Sequence, residues 1–304
     1  VNADGLATIN DFTLDLNDDT RVKVDVFSAY IQDEIEISEK LDLILGARFD
    51  SFDIEVNNVV ANETRSRKDE EISPRLGLVY KPQENISLYA SYSESFLPRS
   101  GEQFSDINGN NNALDPDTFT NLEAGLKWDF VQGLSLTAAI FEIEQSSPQP
   151  ADNDPSTLAV IESEITGFEA QLRGQLTDDW FISAGYSWLD GEQVGSTGPT
   201  GLRPRELPEN MASLWNTYQV TDQFGLGLGV TWQDESFIDN GNTAVLPSYA
   251  RIDAAAYYDV SETLRVQLNV ENLADELYFP NAHSNHQVTV GAPLNAKLTV
   301  RGRF

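Results

Sequence analysis

Few residues of this chain have the types and spacing that chemistry needs. His283 and His286 stand three apart and are the only two histidines in 304 residues. Two imidazoles so spaced suggest metal ligands, but a closed zinc site takes four, and a chain without cysteine has no thiolates to complete it. The stretch from Ser105 to Asp117, SDINGNNNALDPD, has the composition of a calcium loop. It misses the template, because Gly109 falls at the fourth position rather than the sixth and no Glu closes it. A solvated loop is the expectation there, and Asp152-Asn153-Asp154-Pro155 reads as a turn. There is no phosphate-binding loop, no GxGxxG after a strand and no nucleophile elbow, so neither catalytic residues, metal nor cofactor are expected.

The elements that position these residues read as strands. Leu41, Leu43, Leu45, Ala47 and Phe49 alternate with Asp42, Ile44, Gly46, Arg48 and Asp50. Leu122, Ala124, Leu126, Trp128 and Phe130 alternate with Asn121, Glu123, Lys127 and Asp129 in the same way. In the last stretch Leu298, Val300, Gly302 and Phe304 alternate with Lys297, Thr299, Arg301 and Arg303. Period two is the mark of a strand with one apolar and one polar face, and no comparable run has helical spacing. Roughly 13 such strands follow Arg21, each about 10–16 residues long against the ~5–6 typical of soluble sheets.

Length, loop rhythm and aromatic placement together decide against a soluble sandwich. A tilted bilayer-spanning strand needs about 9–11 residues. Short turns at 37–40, 81–85, 129–133, 176–179, 220–223 and 259–263 alternate with long loops at 57–69, 98–117, 145–157, 190–206, 234–247 and 280–292. That one-sided rhythm is the habit of outer-membrane barrels, with short periplasmic turns and long extracellular loops. Tyr80, Trp128, Trp180 and Tyr258 lie near the short turns, and Tyr92, Tyr186, Trp188 and Trp232 towards the long loops, as two interfacial girdles would. Arg48, Arg75, Lys127, Glu169, Arg173, Arg265 and Lys297 fall on the face that would line a wet lumen. With 19 Lys and Arg against 49 Asp and Glu, the net charge of −30 disfavours any nucleic-acid partner. An open sheet of this kind would leave unpaired edges in lipid, so further strands must close it. The fold class expected is an all-β, transmembrane antiparallel β-barrel, present in part.

Several stretches resemble TonB-dependent outer-membrane receptors of the siderophore branch. They are Ser73-Pro74-Arg75-Leu76-Gly77, the run from Tyr89 to Phe96, the run from Asn121 to Lys127, and Thr166-Gly167-Phe168-Glu169. Leu207-Pro208-Glu209-Asn210, Leu246-Pro247-Ser248-Tyr249 with Arg251-Ile252-Asp253, and the run from Asn269 to Tyr278 continue the series. Ala282-His283-Ser284-Asn285-His286 before Gly291-Ala292-Pro293 is similar to ferric-catecholate receptors in particular. The resemblance implies a barrel of about 22 strands plugged by an N-terminal domain. Residues 1–304 would then be the C-terminal portion of that barrel, with about 13–14 of its strands and without signal peptide, plug or TonB-contacting box. Ferric siderophore, the TonB complex, the barrel-assembly machinery and outer-membrane lipid are the partners implied. Cobalamin, haem or an oligosaccharide is the alternative ligand within the family, and a passive porin the alternative outside it.

Ferric catecholates are anionic and aromatic, so such a receptor needs cations and rings in its outer vestibule. Arg99, Phe104, Arg203, Arg205, Phe237, His283 and His286 are the residues of that kind on the long loops. The competing expectation pairs the arginines with Glu102, Glu206 or Asp190, and casts the histidines as ligand contacts or loop braces rather than iron ligands. At the C-terminus, Leu298, Val300 and Phe304 read as an assembly signal, with Gly302 where an aromatic is usual.

Overall fold

The computed structural model describes residues 19–98, 115–131, 133–150, 158–195 and 200–303, and all of its regular structure is β. Thirteen strands form one sheet: β1 (Thr20–Ser38), β2 (Leu41–Asn58), β3 (Glu63–Gln83), β4 (Ile86–Leu97), β5 (Asp117–Val131), β6 (Leu134–Pro150) and β7 (Leu158–Thr177). The sheet continues with β8 (Trp180–Gln193), β9 (Asn210–Gln219), β10 (Phe224–Gln233), β13 (Tyr249–Ser261), β14 (Leu264–Glu271) and β17 (Asn295–Gly302). Two small hairpins stand outside it, β11 (Ser236–Phe237) with β12 (Val245–Leu246), and β15 (Asn281–Ser284) with β16 (Gln287–Thr289). Every strand of the large sheet pairs antiparallel with its neighbour in sequence, a simple up-and-down meander.

The register brings the apolar positions into rows across the sheet. One row runs Leu298, Leu268, Ala256, Leu226, Tyr218, Trp180, and another runs Trp188, Phe168, Ile140, Ala124, Ala90, Leu78, Leu43. These rows are open to the surroundings: Leu298 is 66% exposed, Ile140 62%, Leu226 45% and Leu78 43%. An apolar face continuous over so many strands far exceeds the few hundred Å² that soluble monomers tolerate, so its solvent is lipid. The buried strand residues Asp42, Asp50, Ile54, Val56, Ala139 and Ala255 lie on the opposite face, where a curling sheet crowds its side chains. Each interior strand of the sheet is paired on both sides, so the ladder satisfies its backbone, the condition for crossing a bilayer. β1 and β17 each pair on one side only among the described residues.

The strands range from 8 residues in β14 and β17, shorter than expected, to 21 in β3, and β2, β3, β6 and β7 outrun their hydrophobic pattern. Three expected loops are therefore taken up in part by strands of the large sheet, and the loops at 234–247 and 280–292 carry the two small hairpins. β2 and β3 zip up to Asn58↔Glu63, leaving a tight turn at 59–62 in place of a loop at 57–69. β6 and β7 pair as far as Pro150↔Leu158, and β8 reaches Gln193. Above the bilayer both faces are wet, so apolar alternation stops while the backbone ladder goes on. Positive φ at Asn62 and an Asn58 side chain accepting from the Ala61 N–H (2.9 Å) close the β2–β3 turn. At the other end the short turns fall where expected, and five of the six carry a register shift, such as Tyr80/Gln83 and Asp129/Val131. An extra residue there tightens the local twist and re-aims the chain into the turn.

Candidate functional site

The described parts of three connections at the long-loop end fold into one body: 194–195 and 200–209 after β8, 234–248 after β10, and 272–294 after β14. The first two are joined through asparagine and glutamine side chains that read backbone. Gln193 Nε2 donates to the carbonyls of Arg203 (2.9 Å) and Asn240 (2.8 Å). Asn242 accepts from the Arg203 N–H (3.0 Å) and donates to its carbonyl (2.9 Å), and Asn240 Oδ1 accepts from the Arg205 N–H (3.1 Å). The Glu206 N–H donates to the Phe237 carbonyl at 2.7 Å. Asp239 accepts from the Thr243 hydroxyl (2.6 Å) and N–H (3.2 Å). These bonds, with Asn285 beside them, hold the Asp239 carboxyl below the usual carboxylate range.

The third connection is anchored twice. Against its neighbours, Ala282 packs with Ile238 and Leu246 in a small buried core, flanked by Ala244 and Phe279. Its N–H donates to Glu206 Oε1 (2.7 Å) and its carbonyl accepts from Arg205 Nη2 (3.0 Å). Against the wall, Asn272 is fully buried at φ +51°, a left-handed conformation that Asn tolerates better than most residues. Its Nδ2 donates to the carbonyls of Glu276 (2.8 Å) and Ala292 (3.0 Å), and its Oδ1 accepts from the Glu276 N–H (2.9 Å). Its own N–H donates to Asp253 Oδ1 (2.9 Å). Asp253 also holds Arg251, whose guanidinium sits 5.9 Å from the Tyr278 ring centroid and donates to the Tyr278 hydroxyl (3.2 Å). Tyr249 stacks on the same ring at 4.7 Å.

Within this rim the predicted residues separate by role. Arg203 donates to the Leu189 carbonyl (3.0 Å) and faces Glu209 (3.4 Å) and Asp190 (3.8 Å). Arg205 is shared between Ala282 and Glu206 (3.2 Å), so both arginines meet protein partners as the competing expectation had it. Phe237 is half-buried in β11. His283 and His286 are exposed on the β15–β16 hairpin, with Ser284 Oγ 3.3 Å from His286 Nδ1. No group of three or more His, Asp or Glu side chains is placed to hold a metal among the described residues. Arg99, Phe104, most of the Asn-rich stretch and Phe304 lie outside the described residues. Leu298 and Val300 stand on the lipid-facing rows, 66% and 61% exposed. Sequence reading missed Glu206, Asn240, Asn242 and Asn272 as organisers of the rim. For Asn272 a signal existed, since it lies in the family-like run from Asn269 to Tyr278.

Below the rim the inner wall holds a depression of about 460 Å³ bordered by Tyr89, Glu169, Gln171, Met211 and Gln233. A model of the family described as TonB dependent receptor-like, beta-barrel, matches residues 2–273. The chain belongs to that family. It is a β-barrel part of a Gram-negative outer-membrane protein. It is 36% identical over 305 residues to the probable TonB-dependent siderophore receptor PiuA of Acinetobacter baumannii, covering 92% of this chain and 41% of that protein. The crystal structure of that siderophore receptor superposes with a TM-score of 0.86, over 93% of this chain and 44% of the other. The ferrioxamine receptor of Yersinia enterocolitica is 31% identical over 89% of this chain and 39% of its own length. The ferric-catecholate import receptor Fiu of Escherichia coli K12, in its closed form, shares the fold with a TM-score of 0.81 at 24% identity. This TonB-dependent receptor chain thus spans about two-fifths of the length of the curated relatives it matches.

Proposed function

We propose that the chain forms part of the wall and outer mouth of a receptor that imports ferric siderophores across the outer membrane with energy from the TonB complex. The observation that carries this reading is the 36% identity to a probable siderophore receptor over 92% of the chain. Further strands are needed to complete the barrel, since β1 and β17 each pair on one side only among the described residues and lipid does not tolerate an open sheet edge. The work is transport without covalent chemistry, and the iron stays within the oxygens of its own chelator. His283, His286 and Phe237, together with Arg99 and Phe104, form the ligand-facing set, while Arg203 and Arg205 brace the loops behind them. Leu298, Val300 and Phe304 present the last strand to lipid and to the barrel-assembly machinery.

The test is uptake of radio-iron siderophores by iron-starved cells that carry the complete gene as their only receptor of this kind. Uptake that requires the TonB complex supports the reading. Equal uptake without that complex refutes it, and open-channel conductance of the purified protein would assign it to the porins instead.

A further inference from the structure

We infer that Arg205 and Glu206 form a positioning pair, which fixes the β15–β16 hairpin over the mouth and so sets ligand affinity without touching ligand. The inference rests on the siderophore-receptor reading. Two adjacent residues of the 194–209 connection grip both hydrogen-bonding groups of one residue 76 positions away: Glu206 Oε1 takes the Ala282 N–H at 2.7 Å, and Arg205 Nη2 gives to the Ala282 carbonyl at 3.0 Å. The pair imitates with side chains the two bonds that a neighbouring strand would make. It is held in turn from the 234–248 connection, by the Glu206 N–H donating to the Phe237 carbonyl (2.7 Å) and Asn240 Oδ1 accepting from the Arg205 N–H (3.1 Å). All three rim connections therefore meet at this dipeptide.

Its backbone argues for a role beyond packing. Glu206 sits at φ +54°, where a residue without an Asn-like side chain is uncommon, and such a conformation persists only when its surroundings over-determine it. Of the described residues at positive φ other than glycine, three are Asn and one is Asp, so Glu206 is the exception. A glycine or asparagine would relieve the strain, but neither side chain reaches Ala282 as a glutamate does. What the grip holds is the base of a hairpin whose tip, His283, Asn285, His286 and Gln287, is exposed and rich in N–H donors suited to an oxygen-lined ferric complex. The tip has few bonds of its own to the rim, namely Asn285 to Thr243 at 3.1 Å. Its position is thus set at Ala282.

The complete receptor in iron-starved cells, fed a radio-iron tricatecholate and a radio-iron trihydroxamate, tests this. If Glu206→Ala leaves the hairpin in place about a tenth of the time, the half-saturating concentration rises about tenfold with the maximal rate within about twofold. Glu206→Gln keeps an acceptor for the Ala282 N–H and should stay within about threefold of the parent. Hydrogen exchange at the Ala282 amide of the purified receptor should quicken in the alanine variant and not in the glutamine one. Where Glu206→Ala fails to reach the surface, Arg205→Met, which removes the Ala282 carbonyl contact and the pairing with Glu206 but keeps the acceptor for the Ala282 N–H, should shift half-saturation in the same direction by less. Faster exchange at Ala282 with unchanged half-saturation overturns the inference. So does a fall in maximal rate alone, which is the signature of fewer folded receptors. A parent that takes up neither complex defeats the receptor reading and the inference with it, and is recognised because the parent itself is silent.

Discussion

Replacing Asn272 should loosen the 272–294 connection from the wall while leaving the barrel intact. The side chain is fully buried and makes three neutral hydrogen bonds, two to carbonyls of Glu276 and Ala292 and one from the Glu276 N–H. Each is worth ~0.5–1.5 kcal/mol net, and an alanine strands the partners instead of replacing them, which costs towards the upper end. Alanine at φ +51° adds ~1–2 kcal/mol of left-handed strain. Asn272→Ala therefore costs about 3–5 kcal/mol of local stability, a loss of roughly a hundredfold to a few thousandfold in protection at 1.4 kcal/mol per tenfold. Hydrogen exchange of the purified receptor reads this at the amides of Glu276 and Leu294, the latter held by Asp275 at 2.8 Å. Amides in the β13–β14 ladder serve as the control. Asn272→Gly relieves the strain and should recover ~1 kcal/mol of the loss. Asn272→Asp keeps the acceptor for Glu276 but aims a carboxylate at two carbonyls, and should be no better than alanine. Protection in Asn272→Ala within about threefold of the parent would refute the reasoning, because the three bonds would then be worth almost nothing. Full recovery in Asn272→Gly would show that the backbone conformation matters and the side chain does not.

Three further outcomes follow from the wall and rim. Leu298→Arg puts a charge on the lipid-facing row and should destabilise the refolded receptor by ~2–4 kcal/mol in urea titration, whereas Thr299→Arg, on the other face, should change it by less than about 1 kcal/mol. Gly229 gives the Trp215 ring its seat on the inner wall, since a Cβ there would lie 2.3 Å from the ring; Gly229→Val should shift Trp215 and cost about 1–3 kcal/mol as overpacking does, read from tryptophan fluorescence and unfolding. The Asp239 carboxyl is held low by Thr243 and its neighbours, so its contribution to the 234–248 connection is fully present above the unfolded value of ~3.9 and is lost as pH falls through the lower folded value. Exchange at the Thr243 amide, expressed as a ratio to Asp239→Asn, should be constant from neutral pH down to about 5 and should change only at more acid values. A change near neutrality would contradict the assignment.

The barrel wall was legible in the sequence because lipid imposes a rule on every second residue. Leu43, Leu78, Ala124, Ile140 and Trp188 had to be apolar, and the thirteen strands of the sheet lie where that alternation placed them. The rule lapses where β2, β3, β6, β7 and β8 leave the bilayer, and there the reading took paired strand for loop. At those heights Arg65 pairs with Glu63 and the ladder continues on backbone alone, which no residue type records. The rim was less legible for a different reason. Arg203 and Arg205 are cations on loops by sequence, and nothing in their spacing says that one faces Leu189 and the other Ala282, 77 positions later.

What joins the rim is amide and carboxylate chemistry directed at backbone: Gln193, Asn240, Asn242, Glu206 and Asn272 each hold main-chain groups of a distant segment. Such bonds depend on where the backbone runs, so they come into being only once the strands have set the loops side by side. The order of causes is then lipid first, which fixes the strands. The strands fix the loop bases. The polar side chains at those bases fix the hairpin that carries His283 and His286. A change in the wall should therefore disturb the rim, while a change at Glu206 or Asn272 should leave the wall as it was.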